Sequence, residues 1–181
     1  DPTCGSGSLL LKVGDEARAK VTLYGQEKDA ATSGLARMNM ILHDNPTALI
    51  KQGNTLANPL FTSDDGSLKT FDYVVANPPF SDKRWSTGID PLNDPHERFQ
   101  HFGTPPGKQG DYAYLLHIVR SLKSTGKGAA LARRCRPLRT ARAEYSRRPA
   151  VRARSRGHPS DARRPHGPAR ATMHCPFCGH P

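Results

Sequence analysis

Residues 71–80 read Phe-Asp-Tyr-Val-Val-Ala-Asn-Pro-Pro-Phe, and this stretch decides the fold class of the 181-residue chain. Its first six residues are mostly aromatic or β-branched, which predicts a buried strand over 71–76. The prolines cannot continue a sheet ladder, so the strand is expected to end at Ala76. Such a strand end belongs to the edge of the sheet where α/β proteins bind ligands.

The segments around this stretch alternate between strand and helix patterns. We predict strands over 21–27 and around 48–52, and helices over about 31–42 and 111–122. This order predicts an α/β fold with a mostly parallel sheet covered by helices. The apolar residues expected to share one face of the first of these helices are Ala31, Leu35, Met38, Ile41 and Leu42.

The chain opens with a glycine-rich loop that makes up our candidate cofactor loop, formed by Asp1, Thr3, Cys4, Gly5, Ser6 and Gly7. The apolar run that follows, 9–11, is where a helix is expected to begin. Glycine lets a ligand approach the backbone, and a helix N-terminus offers unpaired N–H groups to a carboxylate or a ribose. The same residues are also typical of an ordinary surface turn.

Asn77 and the residues after it carry acceptors suited to an exocyclic amino group. The Asn77 side-chain oxygen can accept one amino hydrogen and the Pro78 carbonyl the other, which favours the pyramidal nitrogen that attack on a methyl group requires. Pro79 helps to fix this backbone, and Phe80 offers a face on which an extruded base can stack. Together with the candidate cofactor loop, the candidate catalytic residues Asn77, Pro78, Pro79 and Phe80 predict an amino-methyltransferase that uses S-adenosylmethionine. A strand end followed by a core phenylalanine is the alternative.

From residue 1 to about residue 128 the sequence resembles the methylation subunit of type I restriction-modification systems, which makes N6-methyladenine in DNA. The motifs that carry the resemblance are the opening loop and the segments 24–29, 36–44, 53–56, 77–81 and 108–114. The resemblance implies a Rossmann-like S-adenosylmethionine-dependent methyltransferase fold. It also implies DNA as substrate, with a specificity subunit and a restriction subunit as partners.

The resemblance assigns roles to single residues. Residues 3–7 would wrap the methionine part of the cofactor, Glu27 would accept from the ribose hydroxyls, and Asn54 would lie beside the cofactor adenine. Glu27 could instead be an exposed charge, and Asn54 could merely form a turn with Gly53. The segment 81–107 could border the base pocket, contact DNA phosphate, or be a solvated loop.

Charge divides the chain near residue 128. Residues 1–128 contain 14 Lys or Arg and 14 Asp or Glu, whereas residues 129–181 contain 13 Arg, no Lys and two acids, a net charge of +11. We predict a partial catalytic domain over 1–128 and a disordered or frame-shifted tail over 129–181, because the tail is rich in Arg, Pro and Ala and lacks an apolar period. A genuine basic arm that binds nucleic acid is the alternative.

Two further features bound the function. Cys175 and Cys178 form a single Cys-x-x-Cys pair, half of what a zinc ribbon needs, so we predict no metal site. No signal peptide or long apolar run is present, so a cytoplasmic protein without membrane contact is expected. The chain starts where the family would end its central strand, which predicts a fragment with weak or no activity alone. The alternative functions are a protein glutamine methyltransferase of the same fold and a non-catalytic basic DNA-binding fragment.

Overall fold

The computed structural model describes residues 1–17, 19–79, 82–107 and 110–131. The strands in these ranges form two parallel pairs, β1 with β2 and β3 with β4. The mixed α/β class and the parallel pairing predicted from the sequence are therefore confirmed. In chain order the elements are α1 (Ser8–Glu16), β1 (Tyr24–Glu27), α2 (Ala30–Leu42), β2 (Leu49–Gln52), β3 (Phe71–Ala76), α3 (Gly110–Arg120) and β4 (Leu122–Ala130).

The predicted strands agree with the structure to different degrees. β3 spans the predicted residues, and β2 is one residue shorter than predicted. β1 begins at Tyr24 rather than at residue 21, and Val21 is exposed. Since β1 and β2 pair from Tyr24 opposite Leu49 to Glu27 opposite Gln52, both strands end at the same edge with a polar residue.

The predicted apolar face of α2 is wrong. Its large apolar side chains are 45 to 77% exposed, and the helix buries Ser33, Ala36 and Met40 instead. These residues follow a spacing of three and four, as a helical face requires. Ala36 and the unbranched Met40 lie close to Gly7 of the opening loop. The exposed residues of the predicted face are Ala31, Leu35, Met38, Ile41 and Leu42.

The last two elements depart from the sequence pattern. α3 ends at Arg120, so Leu122, predicted to lie on the helix, begins β4. β4 was not predicted, because seven of its nine residues are Lys, Ser, Gly or Ala, which have low strand propensity. Its pairing with β3 contains a register shift between Phe71 and Tyr73. β4 also includes Ala129 and Ala130, the first two residues of the predicted tail.

A cleft of about 640 Å³ lies between the two strand pairs. Tyr24 and Gln26 of β1 line one side, and residues 71–75 of β3 line the other. At its end the rings of Tyr24 and Phe71 pack with centroids 5.2 Å apart. In the part of the chain that the structure describes, β1 and β3 are not hydrogen-bonded to each other. No helix there is long and apolar enough to cross a membrane.

Candidate functional site

The opening loop is fixed to the end of β1 by its backbone. The Gln26 amide donates to the Asp1 carbonyl and the Cys4 amide donates to the Gln26 carbonyl, both at 3.0 Å. The Asp1 carboxylate accepts from the Thr3 amide at 2.8 Å. Because three hydrogen bonds hold so short a segment, the loop has a defined conformation before any ligand binds.

Two glycines shape this loop for different reasons. Both have positive φ, +54° at Gly5 and +85° at Gly7, a region that other residues rarely adopt. A Cβ at Gly7 would lie 2.5 Å from Met40 Cε, whereas a Cβ at Gly5 would meet nothing within 4 Å. Gly7 is therefore required for packing on α2, and Gly5 borders open space where a ligand could lie.

Glu27 connects the loop to the start of α2. Its Oε2 accepts from the Gly5 amide and its Oε1 accepts from the Asp29 amide, both at 3.0 Å. Asp29 in turn begins α2, since its carboxylate accepts from the Thr32 amide at 2.8 Å. Glu27 is therefore more than an exposed charge. Each of its carboxylate oxygens keeps a further lone pair for a hydroxyl donor.

Cys4 and Ser6, two predicted cofactor residues, are placed differently. The Cys4 side chain is 5% exposed in the core between α1, α2 and the β1–β2 pair, and burial raises the pKa of its thiol to about 11. Only the Cys4 backbone is therefore available to a ligand. The Ser6 carbonyl accepts from Asn39 of α2 at 2.9 Å, while its hydroxyl shares a 2.8 Å hydrogen bond with Ser8.

The turn after β2 lies against the opening loop. The Asn54 side-chain oxygen accepts from the amides of Leu56 and Ala57, at 3.1 and 3.4 Å, so Asn54 does form a turn. The buried Thr55 hydroxyl donates to the Pro2 carbonyl at 2.5 Å. Asn54 is thus the neighbour in sequence of Thr55, which contacts the opening loop directly. This contact lies at the edge where Glu27 ends β1.

The segment Asn77–Pro79 follows β3 directly. Asn77 and Pro79 are exposed and Pro78 is buried, while Phe80 lies outside the described residues. The Leu131 amide donates to the Ala76 carbonyl at 2.9 Å and so fixes the last residue before the motif. Among the described residues no hydrogen bond engages the Asn77 carboxamide, which leaves its acceptor oxygen available.

The segment 82–107 contains buried residues that the sequence pattern did not single out for packing. Trp85, considered as a border of a base pocket or a DNA contact, is 2% exposed, and its indole N–H donates to the Pro106 carbonyl at 3.1 Å. Tyr114 packs in the same cluster, and burial together with the charges of Asp82 and Glu27 raises its pKa to about 12. Lys83 and its neighbour Arg84 remain exposed, as a contact with phosphate would require.

Arg98 and Asp94 form a buried ion pair that the sequence analysis missed. Their side chains are 1 and 2% exposed. In sequence the pair has the i, i+4 spacing that is common on helix surfaces, so nothing distinguishes it from a solvated pair. Cys175 and Cys178, where the sequence predicts no metal site, lie outside the described residues.

Residues 1–144 match the sequence profile of the family described as N-6 DNA Methylase. The chain is 36% identical to the type I restriction enzyme MpnII methylase subunit of Mycoplasma pneumoniae, over 71% of this chain and 25% of that protein. It is 31% identical to the type I restriction enzyme HindI methylase subunit of Haemophilus influenzae, over 72% of this chain and 29% of that protein. It is 29% identical to the type I restriction enzyme MjaIX methylase subunit of Methanocaldococcus jannaschii, over 70% of this chain and 23% of that protein. The chain spans about a quarter of the length of these curated relatives.

Proposed function

Because the chain belongs to the N-6 DNA methylase family, we propose that it carries part of the active site of a DNA adenine methyltransferase. The family resemblance inferred from the sequence motifs is confirmed by the profile match. S-adenosylmethionine would supply the methyl group, and the product would be N6-methyladenine. The names of the relatives favour a place in a type I restriction system, with specificity and restriction subunits as partners.

The observation that carries this proposal is the exposed Asn77 directly after β3, whose carboxamide makes no hydrogen bond among the described residues. Its oxygen and the Pro78 carbonyl would each accept one hydrogen of the adenine amino group, which releases the nitrogen lone pair from the ring. The N6–C bond would form as the methyl–sulfur bond breaks, and N6 would lose one proton to solvent. Phe80 would stack on the base.

The opening loop fits the cofactor. Open space borders Gly5, so a ligand can approach the backbone there. Glu27 keeps free lone pairs beside that space and would accept from the ribose hydroxyls. Residues 3–7 would hold the methionine part, and Asn54, fixed beside the loop, would lie by the cofactor adenine.

We also propose that the two strand pairs belong to one doubly wound sheet in which a further parallel strand lies between β1 and β3. The Asp1 nitrogen donates to the Tyr24 carbonyl at 2.8 Å, and the Asp1 carbonyl accepts from Gln26 at 3.0 Å. This is the ladder pattern of a parallel strand with Asp1 opposite Gly25. The cleft between β1 and β3 has the position that such a strand would fill.

Methyl transfer under single-turnover conditions tests the proposed reaction. Excess purified chain is incubated with S-adenosylmethionine and adenine-containing duplex DNA, and methyladenine is measured by mass spectrometry. We expect slow methyladenine formation that is lost in Asn77→Ala and kept in Asn45→Ala, which lies in the turn between α2 and β2. Methylated glutamine in a peptide without methyladenine in DNA would contradict the substrate, and equal loss in both variants would contradict the role of Asn77.

Fast multiple turnover by the purified chain would refute the proposal that the site is incomplete. Salt-sensitive DNA binding without any cofactor binding would instead favour the basic arm as the working part.

A further inference from the structure

The buried pair of Arg98 and Asp94 fixes two backbone segments at once. Arg98 Nη2 and Nε donate to the two Asp94 carboxylate oxygens at 2.7 and 2.9 Å. The same guanidinium donates to the Leu56 carbonyl at 2.8 Å and to the Thr55 carbonyl at 3.5 Å. A guanidinium is planar with donors in a fixed fork, so these contacts define the position of the turn after β2 relative to the segment after β3.

The contact continues from this turn into the opening loop. The Thr55 hydroxyl donates to the Pro2 carbonyl, and Thr55 is 4% exposed. The amide of Leu56 donates to Asn54, whose side chain is thereby held in the same turn. A continuous set of hydrogen bonds therefore runs from Asp94 to the loop that we propose binds the cofactor.

Stability alone does not account for such a pair. Burial opposes ionisation of Asp94, and the hydrogen bonds and charge of Arg98 overcome this and hold its pKa below the usual range. Apolar residues of similar size often stabilise a protein as well as a buried ion pair does. What apolar residues cannot supply is a set of oriented donors for two carbonyls of another segment.

We propose that Arg98 is a positioning residue that couples the segment after β3, which follows the candidate catalytic residues in the chain, to the loop that we propose binds the cofactor. This inference rests on the proposed function. Arg98 touches neither base nor cofactor. It acts by holding the turn that contains Asn54 against Pro2.

Hydrogen exchange of the full chain tests the coupling without any ligand. The amides of Cys4, Gly5 and Gly7 are all hydrogen-bonded and serve as reporters. The variant Arg98→Met/Asp94→Asn removes both charges, so no unpaired charge stays buried. We expect roughly tenfold faster exchange at these three amides. The matched control Glu97→Gln breaks the exposed 2.9 Å pair with Arg120 and is expected to leave them unchanged.

Thr55→Val supplies a milder variant in case the charge-free one unfolds. It deletes only the hydroxyl that reaches Pro2, and we expect S-adenosylmethionine, measured by calorimetry, to bind about fivefold more weakly. Combined with Arg98→Met/Asp94→Asn, it should add less than a twofold further loss, because both changes interrupt the same connection. A merely structural role for Arg98 predicts that the losses of S-adenosylmethionine affinity in Thr55→Val and in Arg98→Met/Asp94→Asn multiply in the combined variant.

The outcomes separate this inference from the proposed function. Unchanged exchange at the three reporter amides in both Thr55→Val and the charge-free variant overturns the coupling. Multiplied losses of affinity overturn it as well. If the unchanged chain binds no S-adenosylmethionine, the cofactor proposal fails, while the exchange measurements still decide whether Arg98 positions the loop.

Discussion

Replacing the two glycines of the opening loop, one at a time, separates packing from ligand binding. In Gly7→Ala the new Cβ would lie 2.5 Å from Met40 Cε, the flexible end of that side chain, and because Met40 is only 2% exposed its side chain must repack within the core. Overpacking of this kind costs about 1–3 kcal/mol, and the positive φ of +85° adds about 1–2 kcal/mol for any residue with a Cβ. We therefore expect Gly7→Ala to lower the free energy of unfolding by about 2–5 kcal/mol.

Gly5→Ala should behave differently, because its Cβ would meet nothing within 4 Å. Only the cost of its positive φ remains, about 1–2 kcal/mol. The added methyl group would occupy the space where we propose the cofactor lies, so S-adenosylmethionine affinity should fall by more than about tenfold. Gly34→Ala, in the middle of α2 with nothing within 4 Å, is the control and should raise stability by about 0.5–1 kcal/mol.

Urea unfolding followed by circular dichroism measures the three stabilities, and calorimetry measures the affinity. Equal destabilisation by Gly5→Ala and Gly7→Ala would refute the packing argument for Met40. Unchanged S-adenosylmethionine affinity in a folded Gly5→Ala variant would refute the proposal that the loop wraps the cofactor.

Two further predictions concern titratable groups. Burial, with a further contribution from the charge of Arg98, lowers the pKa of His117 to about 3 from its ordinary 6.5. The unfolded state therefore binds this proton more readily than the folded state does. The free energy of unfolding should fall by about 2 kcal/mol as the pH is lowered from 7.5 to 5. His117→Leu should remove that part of the pH dependence in urea titrations, and an unchanged slope would contradict it. The buried Cys4 thiol, with its pKa raised to about 11, should react with iodoacetamide only when the chain unfolds. Mass spectrometry of the Cys4 peptide checks this, and rapid labelling of the folded chain would show that the thiol is accessible.

Local sequence patterns predicted those elements whose own residue types favour the secondary structure that they form. β3 is apolar, β-branched and closed by proline, so its bounds could be predicted from the sequence. β4 could not be predicted in this way, because its Lys, Ser and Gly residues adopt a strand only through pairing with β3. Its existence depends on a contact with residues about fifty positions away, which no local pattern contains.

The buried face of α2 was missed for a related reason. Ser33 and Ala36 are small and buried, and Ala36 lies close to Gly7 of the opening loop. A pattern that counts only large apolar residues selects the opposite face. The motif residues of the candidate site could be named from the sequence, whereas the buried contacts of Arg98 could not, since they join residues more than forty positions apart.

Binding of S-adenosylmethionine to the ¹⁵N-labelled chain, followed by amide chemical shifts, is the most direct test of the proposed site. The method detects millimolar affinities, so it suits a chain whose proposed sheet is incomplete. We predict shifts at the amides of residues 3–7, at Glu27 and at Asn54, with Asn77 unaffected until an adenine-containing oligonucleotide is added. Shifts confined to other residues, or none at millimolar ligand, would contradict the assignment of this loop to the cofactor.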